Sequence, residues 1–212
     1  FIRLTSFAQT SDREVAEAVE QLKRKGMKKL VLDLRSNPGG DLTASVGVAN
    51  TFIDDGMIVY TKGLIESSKE EYFATQESTR FRGPMIVLVN HGSASGSEVV
   101  AGALQDHDRA WLVGERTWGK GLVQTQYYPL LHGGALSLTT AKYYTPSGRL
   151  IQRPYTPGAF DDYYDPQKQI EQNRLDPATT VHLKRTVYGG NGIAPDTVIK
   201  TDDLSALTQQ IM

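Results

Sequence analysis

Two stretches of the chain are almost continuously apolar: KLVLDLR at 29–35 and PMIVLVN at 84–90. Neither alternates with polar residues, the pattern of strands buried on both faces. Each run ends in small residues that lead into a segment of helical period. SNPGGD precedes LTASVGVANTFI, and HGSASGSE precedes VVAGALQ. Upstream, Ser11-Asp12-Arg13-Glu14 has the form of a capping box, and Val15, Val19 and Leu22 follow at helical spacing up to Gly26. FIRLTSF, MIVYT at 57–61 and WLVGE at 111–115 read as further strands. LVQTQYYPL and ALSLTTAKYYT alternate at period two with HGG between them, which predicts an antiparallel hairpin. Residues 63–83 are polar with little apolar period, and a helix or a flap over the surface is expected there. Residues 153–180, rich in Pro, Asp, Tyr and Gln, predict a long surface excursion. TVYGGNGIAPDTVIK then returns the chain through a glycine turn and a strand, and DLSALTQQI closes with a short helix. No internal repeat interrupts this order. It predicts an α/β fold, a mixed and largely parallel sheet with flanking helices, formed as one domain over residues 1–212.

Composition narrows the chemistry. A chain of 212 residues with 39% hydrophobic and 22% charged residues can bury a core without staples. The net charge of −1 gives no bulk field for nucleic acid or an anionic membrane. No apolar run approaches the roughly 20 residues that cross a bilayer. Cysteine is absent, which removes disulfides, thiol nucleophiles and cysteine metal sites. His91, His107, His132 and His182 lack metal-ligand spacing, so no metal site is expected. The chain opens at Phe1 already in a strand pattern, as a fragment cut from a longer precursor would.

Ligands of open α/β sheets bind beyond the carboxyl ends of the strands, where helix N-termini present free N–H groups. The site is therefore expected where 36–41 meets 91–98. Downstream, GERTWGKG at 114–121 is one letter short of a phosphate-binding loop. That loop needs Ser or Thr after its lysine and a helix behind it. Here Gly121 follows Lys120 and the next residues predict a strand, so nucleotide binding is disfavoured. Ser93, Ser95 and Ser97 share the second loop, and any of them could simply cap the helix. Alternatively, one serine attacks a carbonyl, with the oxyanion held by the next N–H and by an N–H of the 39–40 glycine pair. Gly96 after Ser95 suits a close substrate backbone. Such a serine needs a base. His91 begins the same loop. Lys120 is the other candidate, although a lysine, with a reference pKa of about 10.4, needs a dry or positive setting to serve. Trp118, Leu122 and Val123 flank it, and Gln124 could hold its amine by a hydrogen bond, a variant of triad logic.

VLDLRSNPGGDL, VNHGSASGSEVVAGALQD, VGERTWGKGLVQ and AKYYTPSGRLIQ, in this order and spacing, resemble the core of the C-terminal (tail-specific) processing peptidases, serine peptidases of family S41. The resemblance spans about residues 1–155, and TVYGGNGIAPD is similar to the C-terminal strand region of some bacterial members. It implies a crotonase-like α/β core. It implies Ser95 as nucleophile, Lys120 as general base twenty-five residues on, and Gln124 as the residue that orients the lysine. The oxyanion donors fall on the N–H groups of Gly96 and Gly40, with Gly39 as the alternative. No cofactor, metal or nucleic acid is implied. The implied partners are polypeptides with accessible C-terminal tails, and a homo-oligomer or an accessory adaptor fits the family. Members act outside the cytoplasm, in the periplasm or at a membrane. They commonly carry a PDZ domain before this core, and the chain begins about where such a domain would end. Two departures are His91, where many members have Glu, and S-A-S-G-S in place of S-A-S-A-S. A non-catalytic module of the same fold that holds peptides or apolar ligands is the alternative.

Overall fold

In the computed structural model, which describes residues 1–65, 68–127, 134–154 and 176–199, the two apolar runs are neighbours. Leu30–Asp33 (β2) and Met85–Val89 (β5) pair in parallel at the middle of a five-stranded sheet. Ile2–Arg3 (β1) flanks β2, Trp111–Gly114 (β6) flanks β5, and Thr197–Val198 (β11) completes the sheet beside β6. All four pairings are parallel, as the absence of alternation in the central strands requires. The α/β class and the largely parallel sheet are as expected.

Three helices contribute to the same core: Ser11–Arg24 (α1), Leu42–Asn50 (α2) and Gly96–Asp106 (α3). Val15 and Val19 of α1, Val48 and Ala49 of α2, and Val99 to Leu104 of α3 meet Leu32, Val87 and Leu112 of the sheet. α3 is buried along its whole length, because it packs against β6 and also against a second, antiparallel sheet. That sheet has the order Glu70–Phe73 (β4), Met57–Gly63 (β3), Leu136–Tyr144 (β8), Leu122–Tyr127 (β7). β7 and β8 form the expected antiparallel pair, and β4 and β7 are the sheet's two edge strands among the described residues. A smaller pair, Asp176–Thr179 (β9) with Thr186–Gly189 (β10), is also antiparallel.

Several local expectations differ. α1 is capped at Thr10, not through a box begun by Ser11. The Ser11 hydroxyl is turned back to accept the Ala8 N–H at 3.0 Å, and Glu14 instead takes the Thr10 hydroxyl at 2.7 Å. The polar 63–83 segment contains β4, which β3 templates by antiparallel pairing. Arg153, at the start of the expected surface excursion, is 2% exposed, and β9 lies near its end. The expected C-terminal helix at 203–211 lies outside the described residues, as does most of the hairpin turn.

α3 ends on charge. Arg149 is buried and pairs with Asp106, and it also bonds Gln105 Oε1 at 3.1 Å and the Tyr188 carbonyl at 3.1 Å. The other Asp106 oxygen accepts the Ser147 N–H at 2.9 Å. Arg149→Met removes one partner and leaves the buried carboxylate alone. A loss of about 3–5 kcal/mol is expected, read as a lower urea midpoint. An unchanged midpoint would mean that the pair contributes nothing to folding.

Candidate active site

The loops after β2 and β5 are stitched together by their own polar groups. The Asn37 carbonyl accepts the Ala94 N–H at 3.0 Å and the Ser97 hydroxyl at 2.9 Å. The Ser93 hydroxyl donates to the Leu34 carbonyl at 2.8 Å and accepts the Asn90 N–H at 3.0 Å. The Asn90 side-chain oxygen takes the Ser36 N–H at 2.7 Å. Segments 36–41 and 91–98 therefore meet where the sequence placed the site.

These bonds separate the three serines. Ser93 and Ser97 are fully buried and bonded within the loops. Ser95 is half-buried and faces a cavity of about 590 Å³. Lys120, Gln124, Gly39 and Gly40 line the same cavity, with Leu42, Val123 and Tyr143 as apolar walls. Ser95 sits at φ 53°, ψ −112°, a backbone region that non-glycine residues rarely occupy. Such strain persists only where the surroundings impose it, and it clusters at functional positions. Here it turns the chain sharply between β5 and α3.

The surroundings that impose it centre on Glu98. This side chain is fully buried, and its two oxygens accept four hydrogen bonds. Oε1 takes the Thr117 hydroxyl and the Gly119 N–H, both at 2.6 Å. Oε2 takes the N–H groups of Ser95 and Lys120, both at 2.8 Å. One carboxylate thus fixes the backbone of both candidate catalytic residues. Burial pushes its pKa up, and the four donors pull the other way. Next along the strand, the Gln152 side chain accepts the Gly121 N–H at 2.9 Å. The sequence shows Glu98 only as the acidic partner of a capping box. Its second attachment, to the segment 117–120 before β7, has no local signature.

Gly39 sits tightly beside the serine. A Cβ there would lie 2.7 Å from the Ala94 carbonyl, the Gly96 nitrogen and Ser95 Cβ, at a backbone φ of +96°. The Gly39 N–H donates to Asn37 Oδ1 at 2.9 Å. The N–H groups of Gly40 and Gly96 have no acceptor among the described residues. Gln124 follows a bulge in β7 between Val123 and Gln124. No hydrogen bond among the described residues joins the side chains of Ser95, Lys120 and Gln124. His91 lies away from this lining, against the Trp118 ring with centroids 5.0 Å apart. Burial, with Arg153 nearby, lowers its pKa.

The root of the first loop is an ion pair. Asp33 accepts from Arg35 Nε at 2.9 Å, Arg35 Nη2 at 2.8 Å and the Arg35 N–H at 3.0 Å. These bonds, the side-chain ones foremost, hold the Asp33 carboxyl below its ordinary value of 3.8. A depressed folded pKa gives stability that is present above the unfolded value and lost as pH falls through the folded one. The Asp33 contribution should therefore disappear below about pH 3.8. Urea midpoints measured down this range should fall more steeply in the parent than in Asp33→Asn. Parallel curves would remove Asp33 from the acid response.

The chain is similar to known proteins over this whole region. Residues 1–162 match Peptidase family S41. The carboxyl-terminal-processing protease of a Synechocystis strain is 45% identical over 153 residues, covering 72% of this chain and 35% of that protein. The carboxy-terminal-processing protease of Bartonella bacilliformis is 44% identical over 156 residues, covering 72% and 36%. The solved structure of a photosystem II D1 C-terminal processing protease superposes with a TM-score of 0.69 at 31% identity, over 98% of this chain and 45% of that one. The chain thus spans about a third of the length of these curated relatives. With the parallel core, the strained serine and Lys120 in one continuous match, the chain belongs to peptidase family S41.

Proposed function

We propose that this domain is the catalytic core of a serine endopeptidase that cleaves polypeptides near their C-termini. Ser95 is the nucleophile, Lys120 the general base, Gln124 the residue that orients the lysine, and the N–H groups of Gly40 and Gly96 the oxyanion donors. One observation carries the reading: Ser95, Lys120 and the glycine pair line one cavity, and the N–H groups of Gly40 and of Gly96, next to Ser95, have no acceptor among the described residues. In the first step the neutral Lys120 amine takes the Ser95 hydroxyl proton. Ser95 Oγ bonds to the scissile carbonyl carbon, and the carbonyl π pair moves onto oxygen. The oxyanion is held between Gly40 and Gly96, each donor being worth roughly 3 kcal/mol in comparable sites. The C–N bond then breaks, Lys120 returns its proton to the leaving amine, and an ester remains on Ser95. Water repeats the sequence, giving its proton to Lys120 and releasing the acid. The side-chain contacts needed for the first step form on substrate binding, when catalytic hydrogen bonds tighten.

The substrate is read as an extended segment that adds to β7, an edge strand of the described sheet whose residues Leu122 to Gln124 line the cavity. C-terminal tails as substrates, and action outside the cytoplasm, come from the relatives. The test is cleavage of a protein with an unstructured tail by the full protein and by its Ser95→Ala and Lys120→Ala variants. Undiminished cleavage by either variant would overturn the assignment.

A further inference from the structure

We infer that Asn37 is the positioning residue of the oxyanion site: it takes up the Gly39 N–H and so makes Gly40 the donor. The inference rests on the peptidase reading above. The N–H groups of the 37–41 turn carry it, since buried N–H groups are nearly always paired. The Asn37 N–H goes to the Leu34 carbonyl at 3.2 Å, and Pro38 has none. The Gly39 N–H goes to Asn37 Oδ1 at 2.9 Å, and the Asp41 N–H goes to the Phe7 carbonyl at 2.8 Å. The Gly40 N–H has no acceptor among the described residues, and Gly40 lines the cavity with Ser95. The turn into α3, residues 95–98, has the same form. Ser95, Ser97 and Glu98 donate to Glu98 Oε2, the Ala94 carbonyl and the Ser95 carbonyl, and the Gly96 N–H has no acceptor among the described residues.

Asn37 is suited to this role because all of it is held. It is fully buried, and its Nδ2 donates to the Leu4 carbonyl at 2.8 Å, which fixes which end of the amide faces Gly39. Its carbonyl grips the nucleophile loop through Ala94 and Ser97. The residue that orients the glycine peptides is therefore also the one that sets their distance from Ser95. Without the side-chain acceptor, the buried Gly39 N–H would need another partner, and the oxyanion is the nearest new one. The 39–40 peptides would then turn, and the two donors would no longer be fixed against Ser95 Oγ.

The experiment compares Asn37→Ala and Asn37→Asp with the parent in the full protein, on a peptide ester and on its thionoester. Sulfur is a poorer hydrogen-bond acceptor than oxygen, so the ester-to-thionoester ratio of kcat reports donor geometry. Asn37→Ala is expected to lower kcat for the ester by about 100-fold, the size of losing one oxyanion donor. KM should stay within about twofold, since uniform binding is untouched. The ester-to-thionoester ratio should shrink. Asn37→Asp keeps an acceptor for Gly39 and should recover at least about tenfold of the loss, because one good donor is worth that much or more. If Asn37→Ala does not fold, the ratio measured in Asn37→Asp must remain that of the parent. Unchanged kcat in a folded Asn37→Ala would overturn the inference. So would equal losses in both variants with an unchanged ratio, which would make Asn37 a purely structural residue. Full cleavage by Ser95→Ala in the same assay would instead overturn the peptidase reading beneath it.

Discussion

Ser95→Ala is expected to lower kcat by about a millionfold, the loss typical of removing a serine peptidase nucleophile. The hydroxyl is the only group proposed to form the new bond, so nothing else can replace it. A residual rate of about 10³–10⁴ over water should survive, because the oxyanion donors and the bound substrate remain. KM should hardly change, as one oxygen is removed from a cavity of about 590 Å³. Stability should hold too. The bonds that anchor this turn come from the Ser95 backbone, through its N–H to Glu98 and its carbonyl to the N–H groups of Glu98 and Val99. The strained φ of 53° is shared by serine and alanine alike. Lys120→Ala should cost a comparable factor, and the double variant little more, since nucleophile and base act as one unit. The measurement is the rate of release of a tail fragment, followed by mass spectrometry. Additive losses in the double variant would separate Lys120 from Ser95 chemically.

Much of this site is visible in the sequence because it is built where local signals are strongest. Apolar runs over 30–34 and 85–89 can only be central strands, and the small residues after them can only be tight turns into helices. Those two facts place the 36–41 and 91–98 loops together without any structure, while the choice of Ser95 and Gly40 within them is what the family resemblance implies. What stays hidden depends on chain segments far apart in sequence. β4 is polar and exposed, and it is a strand because β3 lies beside it. SNPGG has common turn composition, and nothing local reveals that Asn37 reaches Leu4 on one side and Ser97 on the other. The position of Gln124 is subtler. Simple alternation would put it on the Lys120 face, but the bulge after Val123 resets the register there. It reaches the cavity by that irregular route. Burial of Arg153 in a segment that reads as surface follows from its guanidinium lying 4.1 Å from the Trp118 ring centre, a partner 35 residues upstream.

Glu98→Gln tests the long-range attachment most directly. Its carboxylate accepts two donors on each oxygen. A glutamine keeps one oxygen and places an NH₂ where the other was. In one orientation that NH₂ faces the N–H groups of Ser95 and Lys120. In the other it faces the Thr117 hydroxyl and the Gly119 N–H. Thr117 can rotate its hydrogen away and accept instead, whereas backbone N–H groups cannot. The amide should therefore settle with its nitrogen toward Thr117 and Gly119, leaving at least the Gly119 N–H unsatisfied inside the protein. A loss of about 1–3 kcal/mol in stability is expected for that one group. Activity should fall further than stability does. Gly119 adjoins Lys120, and a shift of about 1 Å in a reacting group can cost about 100-fold in rate. Glu98→Ala, which frees all four donors at once, should be worse on both counts. Thr117→Val takes one donor from Glu98 and also leaves the buried Ile193 N–H, which the Thr117 hydroxyl accepts at 2.7 Å, without an acceptor, so its stability cost should resemble that of Glu98→Gln. The order of kcat is thus parent, Glu98→Gln, Glu98→Ala, with urea midpoints in the same order. A Glu98→Gln protein with parental kcat would show that the shared carboxylate holds the fold together without setting the geometry of the lysine.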